Sequence, residues 1–502
     1  MLKRIINVAA TSLLFAIILV ISSCSAEIPE DYVETDVPAT VTPDNDGAVI
    51  PPNIAPLNFS IKNEADKYVT HIHTRNAEGI TIGGRDVDIP TRQWQQLLAE
   101  ATGDTLFTDI YIRQHDKWLH CPTRHYVVAE DEIDPYITYR LIHPGYVGYE
   151  DMSICERELV SFNERVIYSN MPFNKGESGQ CVNCHSYQDY NRGGNMQMHL
   201  RERMGGTLIV KDGKIEKVNL ATDSIAAGRY PAWHPTLPLI AYSVNATGQV
   251  FHTRDTQKIE VIDFGSDLVL YDVEAHTVMP VSMDKDEYET FPTWSPDGKW
   301  LYYTSAHHHQ WSDDIDAELD AAYDSLHYNI YRRAFNAQTR SLGERELVFD
   351  ADAVGKSAAV PRISPTGRFM LFTLADYGNF HIWHHSADLY AMELSTGEVR
   401  PLTEANSPTA DSYHAWSSNG RWILFASRRD DGNYTRLYIA YFDRNGQAHR
   451  PFLLPQRRPD YYADLMRSYN VPEFMVKPVS ASRRQLRNSA KKEAVKVQMR
   501  VP

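Results

Sequence analysis

Cysteine is scarce, five in 502 residues, so each must be accounted for singly. Basic residues are outnumbered, 50 Lys and Arg against 65 Asp and Glu, and the formal charge of −15 repels phosphate backbones unless a basic patch is segregated. Nucleic acid is therefore excluded as an expected partner. The apolar run from Val8 to Ile21, broken only by Thr11 and Ser12, is too short and too near the terminus for a comfortable membrane span. What is present is ample core material, 43% apolar and 11% aromatic, which excludes a disordered polymer.

Lys3 and Arg4 precede that run, and Ile21-Ser-Ser-Cys24 ends it. Residues 1–23 read as a signal peptide, with Cys24 as the lipidated first residue of the mature chain. Small residues leading into the cysteine resemble the lipobox of bacterial lipoproteins. Glu27, Glu30, Asp31 and Glu34 follow closely, similar to the export signal of surface lipoproteins in Bacteroidetes. Localisation to the cell envelope, as an outer-membrane lipoprotein facing periplasm or exterior, is the expectation. Residues 24–55 carry Pro29, Pro38, Pro43, Pro51 and Pro52 with almost no apolar periodicity and read as a flexible tether.

Four segments align with one another: Tyr230–Ser243, Phe291–Ser305, Val360–Thr373 and Tyr413–Ser427. Each reads as a hairpin, a short strand meeting a turn such as Ser295-Pro-Asp-Gly298 and a second strand of β-branched and aromatic residues leaving it. Two further strand-like runs follow every hairpin: Asp267–Val273 and Thr277–Val281, Tyr328–Ala334 and Arg345–Phe349, Asp388–Leu394 and Glu398–Leu402, Arg436–Tyr441 and His449–Leu454. Four strands per repeat make a propeller blade. Upstream, Ile137–Ile142, Met152–Leu159 and Arg165–Tyr168 read as a degenerate blade, and Thr207–Val218 as the outer half of another. Stacked sandwiches also use short strands, but they have no reason to repeat one hairpin four times.

The expectation is an all-β chain: a small β-rich domain over 56–119, with a short helix near Thr91 to Ala101, then a six-bladed β-propeller over 120–456. Residues 457–502 form a C-terminal extension whose basic tail, seven Lys and Arg against Glu493 from Ser480 on, reads as solvated. The hairpins resemble those of TolB-like propellers, whose repeats carry the Trp-Ser-Pro-Asp-Gly-Lys sequence found here at Trp294 to Lys299. Two repeats depart from it: Arg362-Ile363 stands in place of the aromatic, and Ser418-Asn419 in place of Pro-Asp.

Cys181-Val-Asn-Cys184-His185, in a loop spanning 176–204, is the c-type haem attachment pattern. Two thiols three residues apart reach two vinyl groups on one porphyrin edge, and the following imidazole falls beneath the iron as proximal ligand. One covalent haem c is the expected cofactor. For the distal position His199 is favoured, with Met196 and Met198 as alternatives; strand alternation sends the methionines to one face and His199 to the other. A redox Cys-x-x-Cys, a half zinc site and a plain Cys181–Cys184 disulfide are the competing readings. The resemblance narrows here to Bacteroidetes envelope proteins joining a TolB-like propeller to a Cys-x-x-Cys-His loop, then His-x-Arg and Gly-Gly-Thr, matched by His199-Leu-Arg201 and Gly205-Gly-Thr207. Cys121 and Cys155 remain, either a disulfide or two buried thiols.

Twenty histidines include His307-His-His309 and His381-Ile-Trp-His384-His385, dense enough to consider a second metal, although loop histidines explain them as well. His252 and His414 are placed where a propeller lines its channel. Two functions follow: an anchored monohaem redox protein that docks a redox partner, or a non-enzymatic scaffold holding an envelope protein or glycan. Propeller-bearing serine peptidases are excluded, since no Gly-x-Ser-x-Gly elbow occurs and 457–502 is too short for a hydrolase domain. Whether the chain is an enzyme, its substrate and its oligomeric state are not legible.

Overall fold

The computed structural model describes residues 26–76, 78–143, 151–170, 180–252, 257, 259–309 and 312–500. Cys24 and the signal segment lie outside them, as do 176–179 at the start of the expected haem loop.

The N-terminal domain is a seven-stranded sheet built on the long strand Thr105–Gln114, which pairs with Lys67–His73, Lys117–His120 and Arg124–Val128. Its helix, Thr91–Glu100, buries Trp94, Leu97 and Leu98, a three-to-four residue spacing that makes one apolar face. Trp94 Nε1 donates to the Ile54 carbonyl at 3.0 Å. That contact locates a difference from the tether reading: Ala48, Ile50 and Ile54 are fully buried, and Val49–Ile50 pairs with Arg124–Val128. Proline density suggested an extended solvated segment, but a proline-rich chain with four or five well-placed apolar side chains can still lie along a sheet edge. The domain therefore takes in residues on both sides of 56–119.

Six antiparallel meanders follow, five of them running in chain order from the first strand outward. The first strands of the second to sixth are Gln180–Tyr187, Arg229–Trp233, Glu287–Trp294, Ser357–Ile363 and Asp411–Trp416. The first meander is assembled differently. Tyr136–Ile142, Ser153–Glu158 and Glu164–Ser169 supply its outer strands, and Ser468–Met475, from the far end of the chain, supplies its first. The six first strands contact one another in cyclic order, the arrangement of propeller type. The sequence reading ended the repeats at 456 because Ser468–Met475 has no partner hairpin beside it in sequence; its partner lies about 330 residues upstream.

The C-terminal residues are ordered as well. Arg483–Ala490 is a helix with a Ser482/Gln485 capping box, burying Leu486, Ser489 and Ala490. Val495–Lys496 and Gln498–Met499 then pair in parallel with the outer edges of the second and third meanders. Counting charge alone hid this, because edge strands leave backbone groups open that even a basic segment can satisfy. Trp422, Leu424, Leu437 and Ile439 of the sixth meander share one core cluster with the N-terminal domain, which fixes the two units together.

Candidate functional site

Every first strand carries the same irregularity. Two residues bulge opposite one on the second strand, and the first of the two has positive φ: Cys184 (48°), Tyr230 (47°), Phe291 (51°), Val360 (53°), Tyr413 (46°) and Val471 (46°). None is glycine, and for the β-branched Val360 and Val471 this backbone costs about 1–2 kcal/mol, strain that the surrounding sheets must hold in place. The residue opposite each bulge is large and buried: Met198, Tyr242, Tyr303, Phe372, Phe425 and Tyr139. In the second bulge position stand four prolines, Pro231, Pro292, Pro361 and Pro472, where no ladder N–H is needed, and two histidines, His185 and His414.

Four of the six left-handed residues meet where the first strands converge. Tyr230 and Phe291 lie 4.6 Å apart, and with Val360, Tyr413 and Phe380 they form one apolar cluster closing the channel. The cysteine–histidine pentapeptide is thus part of the wall of this ring. Cys181 pairs with Arg201 and packs beside Met152, Ile154, Met196 and Met198 between the first and second meanders. Cys184 lies at the plug, close to Tyr230 and Tyr413. His185 is 2% exposed, and neither ring nitrogen makes a hydrogen bond of good geometry, although a Val471 backbone group lies on that side. Burial, and then the Arg140 charge, push its pKa down to about 3, so the imidazole is neutral.

His199 pairs with Asn183 in the ladder and bonds Thr207 Oγ1 through Nδ1 at 3.1 Å. Burial and the charges of Arg201 and Arg229 lower its pKa to about 3. Alternation acts as the strand geometry requires: Met196 and Met198 belong to the cluster shared with the first meander, whereas His199 feels Arg229 of the third.

Does this arrangement suit haem? The donor chemistry does, since both thiols are free and His185 is neutral with no well-formed hydrogen bond. The geometry does not. In an extended strand, three residues carry Cys184 about 10 Å along from Cys181, whereas one helical turn sets such positions about 5–6 Å apart. One thiol is packed between two meanders and the other borders the axial plug. The residues present therefore do not fit a covalently held porphyrin in this arrangement.

Among the described residues no group of three or more His, Cys, Asp or Glu is placed to hold a metal. The dense histidines are paired elsewhere: His307 to Glu287, His308 to Glu318, His309 to Asp286, His381 to Thr373 and His384 to Glu260. Cys121 and Cys155 are also free thiols, one in the N-terminal domain and one in the first meander, each buried as a small apolar side chain. Their disulfide is not formed, and burial raises both thiol pKa values.

Beyond the plug, on the side of the Ser-Pro-Asp-Gly turns, the channel opens into a cavity of about 380 Å³. That volume is in the range of small-molecule sites. Its wall includes the residue after each bulge, Ser186, Ala232, Thr293, Arg362, Ala415 and Glu473. Tyr413, His414, Val360 and Val471 reach it from the plug. Gly298 in the Ser-Pro-Asp-Gly turn has φ +69°, and a Cβ there would lie 2.4 Å from His234 Nε2, so the turn tolerates no side chain. Burial raises the Glu473 carboxyl to about 8, with Arg362 opposing, and lowers Arg362. Sequence reasoning placed His414 at the channel but missed Arg362 and Glu473 as site residues. The signal for Arg362 was present, as the replacement of the aromatic neighbour in one repeat.

No family model matches the sequence, and no curated protein matches it. Among solved structures, the chain is similar to TolB from Acinetobacter baumannii, at 13% identity over 77% of this chain and 85% of that one, with a TM-score of 0.43. An auxiliary nutrient binding protein from Bacteroides thetaiotaomicron is similar at 10% identity, covering 83% of this chain and 99% of that one, TM-score 0.33. Oligogalacturonate lyase from Vibrio parahaemolyticus is similar at 11% identity, covering 82% and 99%, TM-score 0.32. At these values none of the three lends this chain a function.

Proposed function

We propose that this chain is a non-enzymatic binding scaffold of the cell envelope, a closed six-bladed TolB-like propeller that takes a ligand, an envelope protein segment or a glycan, at one mouth of its channel. Six meanders with touching first strands, the first completed by Ser468–Met475, support the blade count. The observation that carries the reading is the cavity of about 380 Å³ at the turn side, walled by the residue after each of the six bulges. Lipid on Cys24, outside the described residues, would hold the scaffold to the outer membrane; the Ile21-Ser-Ser-Cys24 sequence supports it. The test is a thermal-shift screen of peptides and oligosaccharides against the full chain and Ala232→Trp, which fills the mouth. Stabilising ligands lost in the variant are expected. Ligands that stabilise both chains equally would place binding elsewhere and refute the reading.

A second reading, one haem c held by Cys181, Cys184 and His185 with His199, Met196 or Met198 distal, keeps one observation in its favour: the buried His185 ring whose nitrogens have no well-formed hydrogen bond. It requires the strand Gln180–Tyr187 to leave its sheet. Electron transfer to a redox partner belongs to that reading alone. Haem staining after expression with a cytochrome c maturation system separates the two.

A further inference from the structure

Of the six side chains that follow the bulges, four are small and uncharged, and two, Arg362 and Glu473, are ionisable groups of opposite sign; a second pair on the lining, Asp189 and Arg192, is bridged to itself at 3.5 Å. Arg362 and Glu473 come from the fifth and first meanders, with Ala415 of the sixth between them. Their charges act on one another, yet no ion pair joins them. The only hydrogen bond of the Arg362 side chain among the described residues runs from Nη1 to the Pro361 carbonyl at 3.3 Å. Glu473 Oε2 accepts the Tyr187 N–H at 3.2 Å, and Oε1 takes no bond among the described residues.

Opposite charges in one poorly solvated cavity attract strongly and normally close on each other. Here the small Ala415 side chain between them leaves the gap open, and the strained bulges on which both strands turn fix their separation. A guanidinium with free donors matches a carboxylate in fork geometry, and a free carboxylate oxygen matches an ammonium. Prolines and tryptophans line the sides, among them Pro231, Pro472, Trp294 and Trp416, which offers apolar contact to whatever joins the two charged ends.

We propose that the channel mouth recognises a small zwitterion, the chemistry of a short peptide or free amino acid, with its carboxylate on Arg362 and its ammonium on Glu473. The assignment rests on the mouth-binding reading above and names the ligand class for it. Burial acts on both groups in the matching sense, raising the Glu473 carboxyl and lowering Arg362, and a ligand bridging the two would favour the charged form of each.

The test is calorimetric titration of the purified full chain with L-alanyl-L-alanyl-L-alanine, its N-acetylated form, its C-terminal amide, and L-alanine. Saturable binding of a zwitterionic probe is expected, with each blocked end weakening the tripeptide at least tenfold. Arg362→Gln should abolish the preference for a free carboxylate and keep that for a free amine, and Glu473→Gln should do the reverse. If either variant fails to fold, the blocked-end series on the unaltered chain decides alone. Tripeptide binding without alanine binding assigns peptides, and alanine binding assigns amino acids. Equal binding of blocked and free peptides, or no saturable binding by any zwitterion, overturns the proposal. Neutral oligosaccharides that bind at the mouth instead overturn it while the scaffold reading stands.

Discussion

His185 and His414 occupy one and the same place in two different sheets, the second residue of the bulge in a first strand, where the other four sheets have proline. Both rings are buried, both lack a well-formed hydrogen bond, and burial pushes both pKa values down to about 3. Each buried position holds a neutral imidazole, and protonation there would place an unpaired charge in the core.

The pH consequence is specific. His414 titrates near 6.5 when unfolded and near 3 when folded, so below 6.5 the unfolded chain binds a proton that the folded one refuses. Its contribution is complete above 6.5 and is lost as pH falls toward 3, at about 1.4 kcal/mol per pH unit. His414→Phe should therefore gain stability relative to the parent as pH drops from 6.5 to 4 and show no such gain from 7 to 8. Denaturant melts across that range measure it; a constant difference would mean the ring is protonated in the fold.

Ser418 answers why one turn departs from Ser-Pro-Asp-Gly. Its N–H and its hydroxyl both donate to the buried Asp134 carboxylate at 2.6 Å, and Asn419 Nδ2 donates to the Glu132 carbonyl at 2.7 Å. Proline has neither donor. Ser418→Pro, which restores the repeat's own sequence, should cost about 3–6 kcal/mol, at about 1.5–3 kcal/mol for each of the two bonds to a charged group. Chemical denaturation reads the loss, and an unchanged midpoint would show that the sixth meander is not held through Asp134.

Closure of the first meander from the distant C-terminus makes truncations unequal. A chain ending at Leu465 lacks Ser468–Met475 and exposes Tyr136–Ile142 as a bare edge, so it should unfold or aggregate. A chain ending at Lys492 loses only two edge strands and should melt a few degrees lower. Similar melting of both would contradict the ring.

Thiol counting addresses the pentapeptide directly. Cys121, Cys155, Cys181 and Cys184 are buried and free, so the native chain should resist a thiol reagent and the denatured chain should yield four equivalents from these positions. Two missing equivalents with added haem mass would support thioether bonds at Cys181 and Cys184. Two missing without added mass would mean a disulfide.

The repeated hairpins, the strands of the degenerate first repeat and the helix at Thr91–Glu100 were legible because they are local. Apolar alternation, Pro-Gly turns and three-to-four spacing act within a dozen residues of chain. The left-handed bulge was not legible: the repeats align Tyr230, Phe291, Val360 and Tyr413, but none of these residue types calls for positive φ, and only the sheet register brings Cys184 and Val471 into line with them. For the same reason a pentapeptide with haem-attachment spacing reads as a loop in sequence and lies in a strand here. Spacing along a chain becomes distance only once the backbone conformation is set, and hydrogen bonds to remote strands set it. Sequence by itself determined what kind of sheet repeats and which residue types it carries. Tertiary structure alone decided that Arg362 and Glu473, 111 positions apart, face one cavity unpaired, because ring closure is a long-range contact that no local pattern encodes.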